Sequence, residues 1–342
     1  MKYLSLFSGI GGFELGIQQA YETTKTTKSS GVARERERDS GTSGRRETEH
    51  LRGASISQDN GDLHNNISGE SPEDYPVCIG FSEIDKYATQ IYQKHFPTHK
   101  NYGDITKINT DTIPDFDLLV GGFPCQAFSI AGKRKGFEDT RGTLFFEIAR
   151  ILKAKQPRLF VLENVKGLLS HDNGNTFRTI ISTLTELGYD LQWQVLNSKN
   201  HGVPQNRERV FIVGHLRGTS RPEVFPIFGS STGNLKYSGG VISAREQWLK
   251  DGKTNSRNFS QGQRIYSTEG ISQTLAGNAG GQRGKTGLYE TPKIRRLTPK
   301  ECERLQGFPD DWTEGISDTQ RYKCLGNAVT VNVIEDVMKK IL

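Results

Sequence analysis

Five short apolar runs separated by helix-length segments constrain this chain more than any other feature. They are Tyr3-Leu4-Ser5-Leu6-Phe7, Cys78-Ile79-Gly80-Phe81, Asp117-Leu118-Leu119-Val120, Leu159-Phe160-Val161-Leu162 and Val210-Phe211-Ile212-Val213. Between them, Leu144, Ile148, Ile151 and Leu152 share one face of a predicted helix over 144–152. A second helix fits 176–187 and is ended by Gly188 in a C-cap role. Alternating strand and helix predicts an α/β fold built on a doubly wound, mostly parallel sheet.

Length and charge set the outer bounds. The 342 residues provide enough core for one large domain with a smaller lobe. No apolar run approaches the roughly 18 residues needed to span a bilayer, and residues 1–7 lead into glycine rather than a cleavage site. A soluble, intracellular protein is expected. Cys78, Cys125, Cys302 and Cys324 are scattered without a C-x-x-C pair, which argues against a disulfide framework or a zinc site. The formal charge of +6 suits a polyanionic partner. Basic residues gather at Lys133-Arg134-Lys135, at Arg207 and Arg209, and between Arg257 and Arg296.

Two compositional breaks interrupt the pattern. From about Thr23 to Pro76 the chain carries Arg34-Glu35-Arg36-Glu37-Arg38-Asp39, then Ser, Gly, Asn and Glu with few aromatics. Such a segment cannot bury enough apolar surface to offset its ordering entropy. A disordered insertion at about 23–76 is expected, a partner-binding tail being the alternative. The second break, about 217–293, is rich in Gly, Ser, Thr, Asn and Arg. It keeps short strand-like runs, Arg264-Ile265-Tyr266-Ser267 and Gln273-Thr274-Leu275, as a separate loop-rich lobe would.

Phe7-Ser8-Gly9-Ile10-Gly11-Gly12 follows the first strand and opens the first helix, so its glycines let the backbone turn sharply and approach a ligand. By itself it is equally a plain tight turn. Nucleotide folds of this kind place an acidic residue about 20 positions later, at the end of the second strand, to bind a ribose diol. Glu83 ends that strand but lies 74 positions after Gly9; removing the polar insertion of about 50 residues restores the spacing. Asp104, in Gly103-Asp104-Ile105-Thr106, falls where a third strand should end. It could accept from an adenine amino group with Ile105 on the ring, or serve as a helix N-cap or turn residue. No G-x-x-x-x-G-K-[S/T] loop occurs, which disfavours a triphosphate.

Gly121-Gly122-Phe123-Pro124-Cys125-Gln126-Ala127-Phe128-Ser129 follows the fourth strand at its carboxyl end, the edge at which open α/β sheets bind ligands. Pro124 stiffens the approach to Cys125, and the nearby Lys and Arg residues favour a thiolate. A buried packing cysteine is the commoner role of an isolated Cys. A loop position between Pro124 and Gln126 fits that role poorly. The next strand ends Leu162-Glu163-Asn164-Val165, placing a carboxylate at the same edge. Pro204-Gln205-Asn206-Arg207-Glu208-Arg209 precedes another strand, with Arg207 and Arg209 on one side of it. Two guanidiniums there could bind a base carbonyl, a phosphate or Glu163 itself.

Taken in order, Phe7-x-Gly9-x-Gly11-Gly12, Pro124-Cys125-Gln126, Glu163-Asn164-Val165 and Gln205-x-Arg207-x-Arg209 resemble the DNA (cytosine-5)-methyltransferase family, small bacterial type. So do Arg296-Leu297-Thr298-Pro299-Lys300-Glu301-Cys302-x-Arg304-Leu305-Gln306-Gly307-Phe308-Pro309 and Tyr322-Lys323-x-x-Gly326-Asn327-Ala328-Val329. The resemblance implies a Rossmann-like, S-adenosylmethionine-dependent methyltransferase fold with a smaller loop-rich target-recognition domain. The catalytic domain would span 1–200, interrupted by the insertion, with its last strand region at 201–216. The recognition domain would span 217–295, and 296–342 would return to the catalytic domain.

The same resemblance implies the chemistry. Cys125 would add as a thiolate to C6 of a flipped-out cytosine, making C5 nucleophilic enough to take a methyl group. Glu163 would protonate or hydrogen-bond N3, Arg207 would hold the base carbonyl, and Arg209 would orient Arg207, Glu163 and the loop. Phe7, Gly9, Gly11, Gly12, Glu83, Ile84, Asp104, Ile105, Pro124 and Asn327 would surround S-adenosylmethionine, with no metal needed. Gln126, Ser129, Lys133 and Arg134 would meet DNA from a lid loop. The segment from Gln261 to Thr268, followed by Thr274-Leu275, resembles the recognition segment of members that methylate GCGC. Gln261, Arg264 and Thr274 are its candidate DNA contacts, or else ordinary polar residues of a hairpin surface.

Double-stranded DNA is the expected partner, with a restriction endonuclease of the same site as a candidate second one. The expected state is a cytoplasmic, nucleoid-associated monomer. An RNA (tRNA) cytosine-5 methyltransferase would carry a Cys-Phe-Thr element, which does not occur. A non-catalytic DNA-binding relative would be expected to lose Cys125 or Glu163. A nicotinamide dehydrogenase leaves Pro124-Cys125-Gln126 and the paired arginines unexplained.

Overall fold

The apolar runs meet in one sheet. A computed structural model describes residues 1–39, 75–124, 144–229, 265–267, 272–275, 288–290 and 296–342. Strands β1 (Lys2–Leu6), β2 (Val77–Ser82), β3 (Leu118–Gly122), β4 (Leu159–Val165), β5 (Tyr189–Asn197) and β7 (Glu208–Leu216) stand in the order β2-β1-β3-β4-β7-β5. β1 runs parallel to β2 and β3, and β3 to β4, whereas β7 is antiparallel to both β4 and β5. The mostly parallel sheet is therefore present, with one reversed strand. β5 carries no uninterrupted apolar run. It lies at the sheet edge and is only partly covered, so Asp190, Gln192 and Gln194 are tolerated among its apolar residues.

Helices α1 (Gly12–Asp39), α2 (Lys86–His95), α3 (Leu144–Lys155), α4 (Asn175–Glu186), α5 (Pro299–Leu305), α6 (Asp318–Asn327) and α7 (Val331–Met338) cover the sheet and its rim. Side chains alternate across the strands, as the pleat requires. Leu119, Phe160, Leu162 and Ile212 pack with Phe145 and Ile148 of α3 and Ile180 and Leu184 of α4. Leu118, Val120, Val161 and Val213 pack on the other face with Ile17 of α1 and Val333, Ile334 and Val337 of α7. Each such side chain contributes about 1.5–3 kcal/mol over its exposed state. Helices α1 and α7 touch so closely that a Cβ at Gly16 would lie 2.6 Å from the Ile334 Cβ. Gly188, at φ +95°, ends α4 as its position in the sequence predicts.

Two expectations change. The insertion does not begin at Thr23: α1 continues through Asp39, and the Thr23 hydroxyl donates to Glu335 of α7 at 3.1 Å. Arg and Glu are strong helix formers, so an Arg/Glu run propagates a helix that is already nucleated. The chain returns at Tyr75, whose ring meets Tyr21 edge-on at 5.1 Å. Residues 40–74 of the insertion lie outside the described residues. The other change is at the proposed third strand, where a single bridge, Phe81 to Asn101, replaces it among the described residues. The Asn101 carboxamide oxygen takes Gly103 N at 2.8 Å and Gly103 adopts φ +69°, curling the chain away before a ladder can extend.

Short strands also occur later in the chain. β6 (Gln205–Asn206) pairs in parallel with β9 (Ser272–Gln273), and β8 (Ile265–Ser267) with β10 (Leu288–Glu290). No helix among the described residues is long and apolar enough to cross a membrane.

Candidate active site

The carboxyl ends of β1, β2, β3 and β4 lie along one edge, so four turns converge there. After β1, Phe7, Gly9 and Gly11 take φ of +54°, +56° and +88°. A phenylalanine in that region is strained, and such strain persists only where surrounding contacts hold it. Gly9 N donates to Glu83 Oε2 at 2.9 Å, while Glu83 Oε1 accepts Ile84 N and Asp85 N, both at 2.8 Å. The carboxylate that ends β2 is thereby locked against the glycine turn, across the gap left by the insertion. Among the described residues nothing lies within 4 Å of where a Gly9 Cβ would stand, and Ile84, next to Glu83 in sequence, is 75% exposed. Open space, a fixed carboxylate and an exposed aliphatic side chain suit the ribose and adenine of S-adenosylmethionine.

Asp104 does not end a strand. It caps a single helical turn, its Oδ1 accepting Thr106 N at 3.0 Å and the Thr106 hydroxyl at 2.8 Å, and those bonds hold its carboxyl below the usual range. Ile105 is buried in the core rather than presented at the surface. The N-cap alternative therefore describes Asp104, and Ile105 packs inward.

At β3 and β4 the parallel register sets Gly122 opposite Glu163. A Cβ at Gly122 would come within 3.2 Å of Glu163 Oε2, so the glycine makes room for the carboxylate. Asn164 is buried and donates to the Phe123 carbonyl at 2.9 Å, fixing the chain just before the exposed Pro124. Cys125, Gln126, Ser129, Lys133 and Arg134 lie outside the described residues. A cleft lined by Phe7, Gly9, Gly12, Gly122, Glu163 and Asn327 joins the glycine turn to the carboxylate.

The two arginines part company. In the antiparallel β4–β7 ladder Glu163 faces Phe211 and Val165 faces Arg209, which makes Glu163 and Arg209 diagonal neighbours. Arg209 Nε meets Glu163 Oε1 at 3.0 Å. Arg207 instead is buried, donating from Nη2 to Ala328 O at 2.7 Å and from Nη1 to Gly326 O at 3.3 Å and Leu275 O at 3.4 Å. Burial, then Arg209, push its pKa down to about 9, with Glu163 opposing. Arg209 thus stands beside Glu163, the place expected for Arg207, while Arg207 faces backbone carbonyls. The reason is position, since Arg207 precedes β7 and turns toward the carboxyl-terminal helices.

Those helices complete the site in ways the motifs did not reveal. Asn327 ends α6 and is exposed at the cleft. Gln205 is fully buried and bridges Leu305 O and Leu275 N. The Trp312 indole donates to Ile10 O at 2.9 Å inside the glycine turn, and Glu303, with no exposed surface, gathers Asp311 N, Thr313 and Arg321 around that tryptophan. Gln205, Glu303 and Gln306 stand among other polar residues in the sequence, so no local pattern signals their burial. Thr274 donates its hydroxyl to Asn206 O at 2.6 Å; Gln261 and Arg264 lie outside the described residues.

Comparison with known proteins converges on the same chemistry. The chain is 40% identical over 285 residues to the type II methyltransferase M.HhaI of Haemophilus parahaemolyticus, covering 77% of this chain and 87% of that one. It is 34% identical to M.NlaX of Neisseria lactamica, with 99% and 96% covered, and 42% identical to M.HpaII of Haemophilus parainfluenzae, with 78% and 83% covered. In fold it resembles a DNMT2 mutant of Spodoptera frugiperda (TM-score 0.63, 18% identity, 99% of both chains) and the Entamoeba histolytica methyltransferase EhMeth (TM-score 0.60, 18% identity, 100% and 97%). The family described as C-5 cytosine-specific DNA methylase matches residues 72–238 and 230–342. The chain belongs to that family, and is a DNA (cytosine-5)-methyltransferase that uses S-adenosylmethionine.

Proposed function

We propose that this enzyme methylates a flipped-out cytosine within one specific duplex sequence, through a transient bond between the Cys125 sulfur and C6 of the base. The observation that carries this reading is the carboxylate of Glu163, held between Gly122 and Arg209 at the edge where the chain runs on to Cys125. S-adenosylmethionine supplies an electrophilic methyl group. Glu83, Gly9, Phe7 and Asn327 would hold it in the cleft. The Cys125 thiolate adds to C6 as Glu163 delivers a proton to N3, which takes up the charge that builds in the ring. Arg209, already on Glu163, takes the place beside the base carbonyl that the family resemblance implied for Arg207. Loss of the C5 proton to a base and cleavage of the C6–S bond then restore the aromatic ring. Flipping costs a few kcal/mol, recovered by contacts in the pocket.

Residues 217–295 would read the sequence, with GCGC as the proposed target. A restriction endonuclease of the same site, a monomeric state and a cytoplasmic location complete the proposal. Bisulfite sequencing of host DNA expressing the enzyme should show methylation confined to that site. The decisive experiment is a GCGC duplex carrying 5-fluorocytosine, which cannot lose a proton from C5. Incubated with S-adenosylmethionine, it should form a stable adduct that maps to Cys125. No adduct, or one at another residue, would overturn the covalent route.

A further inference from the structure

Arg207 sits where a charge is expensive. It is 2% exposed, its Nε has no partner among the described residues, and the carboxylate that lines the same pocket, Glu163, is engaged by Arg209. Burying a cation without a carboxylate of its own is unfavourable, and an apolar side chain of similar volume would pack there at lower cost. What the guanidinium does instead is tie together three stretches of chain.

Its Nη2 and Nη1 hold the carbonyls of Ala328 and Gly326, the residues on either side of Asn327. These lie at the carboxyl end of α6, where carbonyls lack partners within the helix and a cation is favourably placed. Nη1 also reaches Leu275 O at 3.4 Å. Neighbouring residues reinforce that second connection. Gln205 accepts Leu275 N at 3.2 Å and donates to Leu305 O at 2.8 Å, and Asn206 pairs with Gln273 in the β6–β9 bridge. Two residues on, Arg209 grips Glu163. One short segment, 205–209, therefore touches the recognition segment 272–275, both flanks of Asn327, and the carboxylate. A planar fork with five donors can hold three carbonyls at once, which a lysine ammonium cannot do in the same geometry.

We infer that Arg207 is a positioning residue that couples the DNA-recognition segment to the cofactor-binding turn, so that duplex seated by residues 272–275 and cofactor seated against Asn327 strengthen each other's binding. The inference rests on Asn327 as a cofactor residue. Coupling of this kind is reciprocal and ordinarily amounts to about 5- to 150-fold in affinity.

The test is calorimetric binding of S-adenosylhomocysteine to the full chain, alone and with a duplex bearing the sequence that bisulfite mapping identifies. In the wild type the duplex should tighten binding about tenfold. Arg207→Lys should weaken binding without DNA several-fold and remove the tightening. In an Asn327→Ala background, Arg207→Lys should have no further effect, because the two residues act through one contact. Gln205→Leu, which removes one of the links to Leu275 and leaves Gly326 and Ala328 held, should keep DNA-free affinity and lessen the tightening several-fold. Independent, additive effects of Arg207→Lys and Asn327→Ala would overturn the inference. So would tightening that is undiminished in Gln205→Leu, which decides the matter if Arg207→Lys does not fold. If Asn327→Ala alone leaves affinity unchanged, the cofactor reading of Asn327 fails instead.

Discussion

The turn after β1 and the paired edge of β4 and β7 reach the same cleft by opposite means. The turn is a backbone device: three consecutive odd positions, Phe7, Gly9 and Gly11, adopt left-handed φ within five residues, with Glu83 and the Trp312 indole bonded to its backbone from a distance. The β4–β7 edge is a side-chain device. Glu163 owes its place to Gly122, 41 positions earlier, and to Arg209, 46 later, and the neighbouring Arg207 reaches 121 positions to Ala328. Binding a cofactor needs close approach of backbone, which a short run of glycine can specify. Acting on a ring needs a carboxylate in a fixed direction, which takes cross-strand partners.

If that division is right, damage to the two regions should read out differently. Glu163→Gln keeps shape and hydrogen bonding but removes the charge; kcat should fall about 100- to 10,000-fold with KM for S-adenosylmethionine unchanged. An equal rise in KM would erase the distinction. Glu14, fully buried just past the turn, is the next test. Burial raises its carboxyl to about 7 from 4.5, while Tyr92 OH donates to its Oε1 at 3.0 Å. The folded protein thus keeps a proton that the unfolded chain releases, so that stability is complete below about 4.5 and lost as pH rises through about 7. Glu14→Gln should flatten the profile and stabilise the protein at pH 8 by on the order of 3 kcal/mol, measured by urea unfolding.

The glycines sharpen the comparison further. A Cβ at Gly12 would stand 2.7 Å from Val329 Cγ2, so Gly12→Ala should cost about 1–3 kcal/mol and displace the chain beside Asn327. Gly9→Ala meets open space, and only its φ of +56° opposes the methyl. It should cost about 1 kcal/mol of stability yet raise the cofactor KM, since the methyl enters the cleft. Stability loss in Gly9→Ala exceeding that in Gly12→Ala would show that the turn, too, depends on distant packing.

Most of the sheet was legible because strands buried on both faces must be apolar along their whole length, as in Leu118-Leu119-Val120 and Leu159-Phe160-Val161-Leu162. Glu83 could be placed against the glycine turn across the insertion, since the end of β2 keeps its place along the fold rather than along the chain. β5 escaped because an edge strand admits glutamines. Asp104 was placed at a strand end that an asparagine side chain and one left-handed glycine replace with a turn. The insertion begins later than Thr23, which lies inside α1, because its composition predicts no core but does not prevent α1 from continuing through an Arg/Glu run.

Residue order alone determined the fold class, the glycine turn and the set of polar groups delivered to one edge of the sheet. These follow from local conformational preference and from hydrophobic periodicity, both written in neighbouring residues. Which arginine meets Glu163 was decided only by tertiary structure. Arg207 and Arg209 are the same residue type two positions apart in one motif. Their roles separate because one lies in the β7 ladder, diagonal to Glu163, and the other precedes it, against the carbonyls at the end of α6. A guanidinium goes to the acceptors the fold brings to it, and for Arg207 the two at the end of α6 lie more than a hundred residues away.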